Sequence, residues 1–507
     1  MEAHPESARE HGVIVVGGGP SGLVVAAELA QAGVDVVVYE RRTDVVQSRA
    51  GTILPRVLEL LDARGWAEEL IARAREIRPN PLFRTHMWAG MKPVEWRHLE
   101  SRYGYRLILP QNITEEVLIK RAVECGVMFR RGMTVETVRQ DDTGVEITAV
   151  DADGVRDIAR AAYAVGCDGG RSVVREQQGI ATTGHAATFT GIVADIVLDN
   201  PWPEGRRITD NDRGWLASFP FGEGVTRFNL VHAERMHADP SEPVTPEEVR
   251  TCLREILETD LDFASLHWAS RFTDATRIAD RFAQGRVFLV GESSRIHYPA
   301  SGVGMNFCIQ DGFNLGWKLA AVVNGHADPS LLETYDAERR PVAQELLRSV
   351  AAQCAVQFAF SPEAVTFKRW FESAVMPHPA INRCLGLELN GLALTYPTPP
   401  GAGPLAGRRM PDLDIQLPGH LTTVGTLLRD QRLLVLDLTG DDRLRGLEYT
   451  TAPVDVVSGV PVRLPEELRS ATTVLVRPDA YVARTWEGGE QTADVRTEVR
   501  RWLAHAR

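Results

Sequence analysis

The chain has 507 residues, 44% of them hydrophobic and 24% charged, with a formal net charge of −12. That length suits about three domains with well-buried cores, and the composition is that of an ordinary globular protein. The negative balance excludes a general binder of nucleic acid or of anionic membrane, both of which need positive potential.

In chain order, the opening MEAHPESAREHG is polar and lacks the apolar core of a signal peptide. Residues 13–16 (VIVV) are too short and too apolar for anything but a buried strand of a parallel sheet. They stop at GGGPSG. Pro20 to Ala32 then carries small and apolar residues at helical spacing, with Gly33 as its stop. Val34 to Tyr39 is a second β-branched strand, and Glu40 follows it. Residues 180–280 read as short alternating strands, with FPFGEGVTRFNLV as a hairpin around Gly222, Glu223 and Gly224. RVFLVGES (286–293) is another buried strand, and Met305 to Val323 has a helical pattern. The Pro- and Gly-dense 395–411 reads as a linker. Strand-like LLVLDL, VDVV and TVLVRP follow, and a helix ending RRWLAHAR closes the chain.

The six cysteines are scattered without a CxxC pair, which fits a reducing cytoplasm better than a disulfide framework. No apolar run reaches the roughly 18 residues of a membrane span. A cytoplasmic protein is expected. No His/Cys metal cluster, Ser-His-Asp set or nucleophile elbow emerges.

Gly17-x-Gly19-x-x-Gly22 sits between a predicted strand and a predicted helix. The first Gly permits the tight turn, the second lets a pyrophosphate approach the backbone, and the third lets helix and strand pack closely. The helix start carries about half a positive charge toward that pyrophosphate. Glu40 is placed to accept hydrogen bonds from an adenosine ribose. This βαβ unit predicts dinucleotide binding.

Three separated stretches resemble the class A FAD-dependent monooxygenases, those with the p-hydroxybenzoate hydroxylase fold. They are GGGPSG with Glu40, GCDGGRSVVR (166–175), similar to the family's "DG" motif, and GESSRIHYPASGVGMNF (291–307), similar to its "GD" motif and flavin-facing loop. RAGTILPRVLELLDARG (49–65), LPQNITEEVL (109–118) and RPDAYVARTW (477–486) add weight, the last resembling the thioredoxin-like tail of the polyketide-hydroxylase branch.

The resemblance implies an α/β fold: a Rossmann-like FAD-binding domain with an inserted β-sheet substrate domain and a C-terminal thioredoxin-like domain. The boundaries are 1–175 and 281–395 for the FAD-binding domain, 176–280 for the insert and 400–507 for the tail. The last cysteine is Cys384, so the tail cannot exchange dithiols. FAD is the implied cofactor, and NADPH or NADH the co-substrate. The positions implied to hold FAD are Gly17, Gly19, Ser21, Gly22, Glu40, Arg41, Arg49, Gln111, Asp168 and Glu292. With them goes the loop of Pro299, Gly302, Val303, Gly304, Met305 and Asn306, whose helix points its N-terminus at the flavin. The expected partner is a small-molecule polyketide or polyene, with no nucleic acid and no membrane. A homo-oligomer is compatible with the resemblance.

Two functions follow from it. One is hydroxylation of a polyketide or similar bacterial secondary metabolite, through NAD(P)H reduction and a C4a-hydroperoxyflavin. The other is a non-redox [4+2] cyclisation of a linear polyene to a decalin, as in flavin-dependent cyclases built on this scaffold. Departures from the family pattern bear on the choice. Glu292 stands for Asp, Ser294 and Arg295 for Ala and His, Val303 for a frequent Gln, and Phe307-Cys308 for small residues. Arg295 and His297 each admit two readings: facing substrate, or a solvated Arg and a hydrogen-bonded structural His. The aromatic-rich stretches Phe83–Tyr105 and Trp215–Phe228 supply candidates for an apolar pocket.

Overall fold

The computed structural model describes all residues except 1–8, 46–49, 97–98, 201–206, 223, 260, 262, 442–443, 445, 448, 450–451, 489–491 and 504–507. Arg49 and Glu223 therefore lie outside the described residues.

The first strand, Arg9–Val16, is central in an eight-stranded sheet. Val13, Ile14 and Val15 are fully buried because both faces of the strand are covered. Val36–Glu40 pairs with it in parallel on one side, and Arg156–Gly166 on the other. Val287–Leu289 continues the parallel sheet beyond Arg156–Gly166, and Met128–Arg131 beyond Val36–Glu40. The chain thus turns to opposite sides of its first strand, and the crevice lies at the carboxyl ends of these strands. Pro20–Gln31 packs against the long helix Gly304–Val323 and against Gln111–Glu124.

The segment 190–273 forms a five-stranded antiparallel sheet, ordered Arg207–Asn211, Gly214–Gly222, Val225–His232, Thr190–Leu198, Phe263–Thr273. The expected hairpin is present, with Gly222 opposite Val225. The reading of this region as strands alone is incomplete, because Pro246–Leu257 is a helix. It buries Val249, Cys252, Leu253 and Ile256 against Ile192, Leu216 and Phe228 on one face of the sheet. The other face is left for the cavity.

In the tail, Leu433–Asp437 pairs in parallel with Val454–Ser458 and antiparallel with Thr473–Val476, which pairs with Val482–Trp486 before the helix Thr492–Trp502. The segment 395–411 is packed rather than loose. Thr395 bridges Arg408 and Arg409 bridges Tyr481. Tyr396 is 6% exposed and stacks on Tyr481 at 4.1 Å between ring centroids. No helix among the described residues is long and apolar enough to cross a membrane.

Candidate active site

A cavity of about 690 Å³ runs from the carboxyl ends of the parallel strands to the antiparallel sheet above them. Gly17, Gly19, Ser21, Glu40, Arg41, Gln111, Asp168, Glu292, Pro299, Gly302, Gly304 and Met305 all line it. Residues far apart in sequence meet here because three loops leave neighbouring strand ends.

The glycines divide the work. Gly17 has φ +107°, and a Cβ there would fall 2.3 Å from the Cys167 carbonyl oxygen. A Cβ on Gly22 would fall 2.0 Å from the Gly17 carbonyl oxygen, so that residue serves helix–strand packing and does not line the cavity. A Cβ on Gly19 would meet no protein atom within 4 Å. The fold therefore leaves room for a side chain at Gly19, and the bare backbone there keeps that space open toward the cavity.

Glu40 accepts hydrogen bonds from Gly18 N (2.6 Å) and from Arg42 N and Nε (2.9 Å each). Burial acts to raise its pKa, but these donors outweigh it and hold the carboxyl below its ordinary value. Arg42 also faces Glu115 at 3.6 Å, and Gln111 donates to Glu115 at 2.7 Å. Glu115 was not foreseen. Its position four residues after Gln111 on one helix face was the available signal.

Asp168 accepts from Val174 N at 3.2 Å through Oδ2, and the Ser172 hydroxyl and the backbone of 173–174 act to hold its buried carboxyl ionised. Burial raises its pKa. Arg175 ties this loop to the next, donating to the Ser293 carbonyl at 3.0 Å and the Gly170 carbonyl at 3.2 Å.

In the loop 291–304, Glu292 is exposed to the cavity while Ser293 and Ser294 are buried. Their hydroxyls donate to the Gly166 and Gly291 carbonyls at 2.6 and 2.7 Å. The two serines thus clamp the turn. No side chain caps the helix Gly304–Val323, so the N–H groups of its first turn face the cavity at Gly304 and Met305. The Asn306 side chain turns away from the cavity. It accepts from Leu54 N at 2.7 Å and donates to the Thr52 and Gly302 carbonyls at 2.9 and 3.2 Å, fastening the 52–54 segment to the helix start. Val303 and Phe307 are 2% and 3% exposed and belong to an apolar cluster, whereas Cys308 lines the cavity.

The solvated reading of Arg295 is wrong: the residue is 3% exposed and paired with Asp311 at 2.6 Å. His297 is hydrogen-bonded, as its second reading expects, and it also lines the cavity. Its Nδ1 lies 2.7 Å from the Tyr298 carbonyl oxygen, and its ring lines the cavity. Burial lowers its pKa to about 4, so the ring is neutral near neutral pH. A carbonyl only accepts, so the proton sits on Nδ1 and Nε2 is left as an acceptor.

The roof is apolar. Trp215, Phe219, Trp268 and Phe272 line it, with Asn229 and Gln357 as polar members. Of the aromatic candidates, Phe83 also lines the cavity, whereas Trp96 and Phe228 are fully buried core. Phe221 lies under the Arg227 guanidinium, 3.6 Å from its ring centroid, and covers Gly51. Arg227 in turn is held by Asp195 through two bonds of 2.7 Å.

The residues present fit FAD: an open Gly19, a buried Asp168 carboxyl, an uncapped helix start, and five arginines besides the Asp311-paired Arg295 against four carboxylates around the cavity. That excess of positive charge suits a diphosphate. The sequence matches an FAD binding domain over residues 10–350 and an aromatic-ring hydroxylase C-terminal domain over 403–506. The chain belongs to the FAD-dependent aromatic-ring hydroxylases.

Within this family of monooxygenases it is 35% identical to 12-dehydrotetracycline 5-monooxygenase/anhydrotetracycline 6-monooxygenase of Streptomyces rimosus, over 97% of this chain and 98% of that one. It is 36% identical to the rifampicin monooxygenase of Streptomyces venezuelae, over 97% and 99%. The solved anhydrotetracycline hydroxylase of Streptomyces rimosus superposes with a TM-score of 0.88 at 34% identity, covering 98% of this chain and all of the other. The dialkyldecalin synthase of Streptomyces rugosporus is also similar, at 32% identity over 97% and 99%. FAD is the hydroxylase's cofactor, and the α/β fold with its inserted sheet and C-terminal domain is the family's.

Proposed function

We propose that this hydroxylase acts on a fused-ring polyketide or a related bacterial secondary metabolite, consuming NADPH or NADH and O2. The observation that carries the reading is the continuity of one cavity between a dinucleotide-binding floor and an aromatic roof. FAD, when bound, supplies the redox and oxygen chemistry. The chain's own residues bind, orient and exclude water.

Gly17, Gly19, Gly22 and Glu40 hold the dinucleotide end. Ser21, Arg41, Arg49, Gln111, Asp168, Glu292 and the turn from Pro299 to Met305 complete the set proposed to contact it, and Asn306 keeps that turn in place. Trp215, Phe219, Trp268 and Phe272 take the apolar faces of the substrate. His297 accepts a hydrogen bond from a substrate hydroxyl at Nε2, and Asn229 and Gln357 meet its other oxygens. The roof excludes the water that would waste the oxidant. The tail holds no cysteine and serves as support for the floor.

The test is anaerobic. Purified holoprotein receives NADPH or NADH with and without a panel of aromatic polyketides and polyenes, and the flavin's visible absorbance is followed. Bleaching that a ligand accelerates, followed by oxygenated product on admitting air, is the expected result. The second reading is favoured by the whole-chain similarity to dialkyldecalin synthase together with Glu292 in the flavin loop. Cyclisation of a polyene without nicotinamide or O2 would establish it and overturn the first.

A further inference from the structure

Buried charges in several parts of this molecule balance. Arg227 pairs with Asp195 and Arg64 with Glu28, each at 2.7 Å. Arg477 and Lys318 share Glu338, and Arg477 also holds Asp479.

A cluster at the cavity wall does not balance. Asp311 accepts from Arg295 Nη1 at 2.6 Å on one oxygen and from Arg339 Nε at 2.7 Å on the other. Two guanidinium groups therefore share one carboxylate. Arg295 is 3% exposed, and Asp311 and Arg339 are completely buried. The other partners carry no charge. Arg339 donates to the Tyr396 hydroxyl at 2.9 Å and the Phe307 carbonyl at 3.4 Å, and Arg295 to the Ser294 hydroxyl at 3.3 Å. Burial holds the Tyr396 hydroxyl protonated. Arg295 Nε and Nη2 have no hydrogen-bond partner among the described residues.

An unmatched buried charge is costly, so a fold keeps one where something offsets it. Arg295 is the member of the cluster that lines the cavity, as do Glu292 and the helix start at Gly304. The dipole of that helix has the same sign. Glu292 is exposed, and the ion pair that Arg295 makes is with Asp311.

We propose that the Arg295–Asp311–Arg339 cluster lends one uncompensated positive charge to the cavity wall, matched to the negative charge that bound FAD gains on reduction. The inference rests on the monooxygenase reading. In that reaction a hydride carries two electrons and one proton from the dihydronicotinamide to the flavin. The nicotinamide leaves as a cation, and the ring system gains one negative charge without needing a further proton. The oxidised ring is neutral, so a fixed cation separates the two states in energy. A flavin kept only for shape has no use for this arrangement. Arg295, a departure from the family pattern, thus points toward redox chemistry.

The test is the midpoint potential of FAD in the holoenzyme, measured against reference dyes without nicotinamide or substrate, for the wild type and for Arg295→Gln, Arg295→Lys and Arg339→Gln. Arg295→Gln is expected to weaken the preference for reduced flavin about tenfold, roughly 30 mV for a two-electron couple. Arg295→Lys, which keeps the charge, should recover most of that. Arg339→Gln leaves a neutral Arg295–Asp311 pair and should shift the potential the same way. Sulfite, whose adduct with oxidised flavin is also anionic, should bind both Gln variants more weakly. Wild-type potentials in the Gln variants, or a Lys variant as low as the Gln one, would overturn the assignment. Should Arg295→Gln lose FAD, Arg339→Gln decides alone. A shifted potential in a protein that never oxygenates would sink the monooxygenase reading and spare the charge assignment. Unchanged potentials in a protein that does oxygenate would do the reverse.

Discussion

The floor and the roof of the cavity are built on different physics. The floor is directional: Glu40, Asp168 and the clamped serines are fixed by backbone N–H and carbonyl groups at 2.6–3.2 Å. The roof is a sheet face whose aromatic side chains are held by packing, with the charged pair Arg227–Asp195 buried on that same face beside Phe221 and Trp268. A directional floor recognises a ligand of fixed shape, such as a dinucleotide. A roof held by packing admits ligands of several shapes, so relatives on this fold can differ in substrate while keeping the cofactor.

Breaking the charged pair within the roof should have the largest effect. Asp195→Ala removes the carboxylate that holds the buried Arg227 guanidinium through two bonds, and should lower stability by about 3–5 kcal/mol in denaturant titrations. If the loss is under about 1 kcal/mol, the pair is not what holds the roof. Gly19→Val is next and strikes the floor alone. Because a Cβ there meets no protein atom, the protein should fold normally yet bind FAD at least 100-fold more weakly, about 2.7 kcal/mol. A yellow, stoichiometric Gly19→Val protein would remove the dinucleotide assignment.

Trp215→Phe tests the roof from inside the cavity. The smaller ring removes apolar contact area from the cavity wall, so FAD should stay bound while an aromatic substrate weakens by about three- to tenfold, read as kcat/KM. An equal loss of FAD would mean that floor and roof are not separable.

A further effect is pH-dependent. The native pKa of His297, about 4, lies below the ordinary 6.5, so the unfolded chain takes up a proton first. Stability should therefore fall as pH drops from about 6.5 to about 4, with no further change from this group below that. His297→Gln should flatten that part of the profile in thermal melts across the range. An unchanged slope would place the titration elsewhere.

The floor was legible because its requirements are local. Gly17, Gly22, Glu40 and the helix from Gly304 follow from a strand, a tight turn and a helix dipole within short stretches of chain. The helix Pro246–Leu257 was also available to a closer reading, since Thr245 caps it by accepting from Glu248 N at 3.2 Å and the TPEE run advertises that cap. The roof was only partly legible. Trp96 and Trp215 look alike in sequence, yet one is core and the other lines the cavity, because the register of a distant sheet decides which face each one meets.

By itself, then, the sequence determined the parallel sheet, the glycine turn, the acid after the second strand and, through its resemblance to a family, FAD. Each depends on backbone geometry that a few neighbouring residues dictate. Tertiary structure alone decided that Asn306 fastens a loop, that 395–411 is packed, and that Arg295 is buried beside Asp311 with Arg339 behind it. Those outcomes turn on partners up to hundreds of residues away. No local pattern encodes the charge balance of a site whose members come from separate helices and loops.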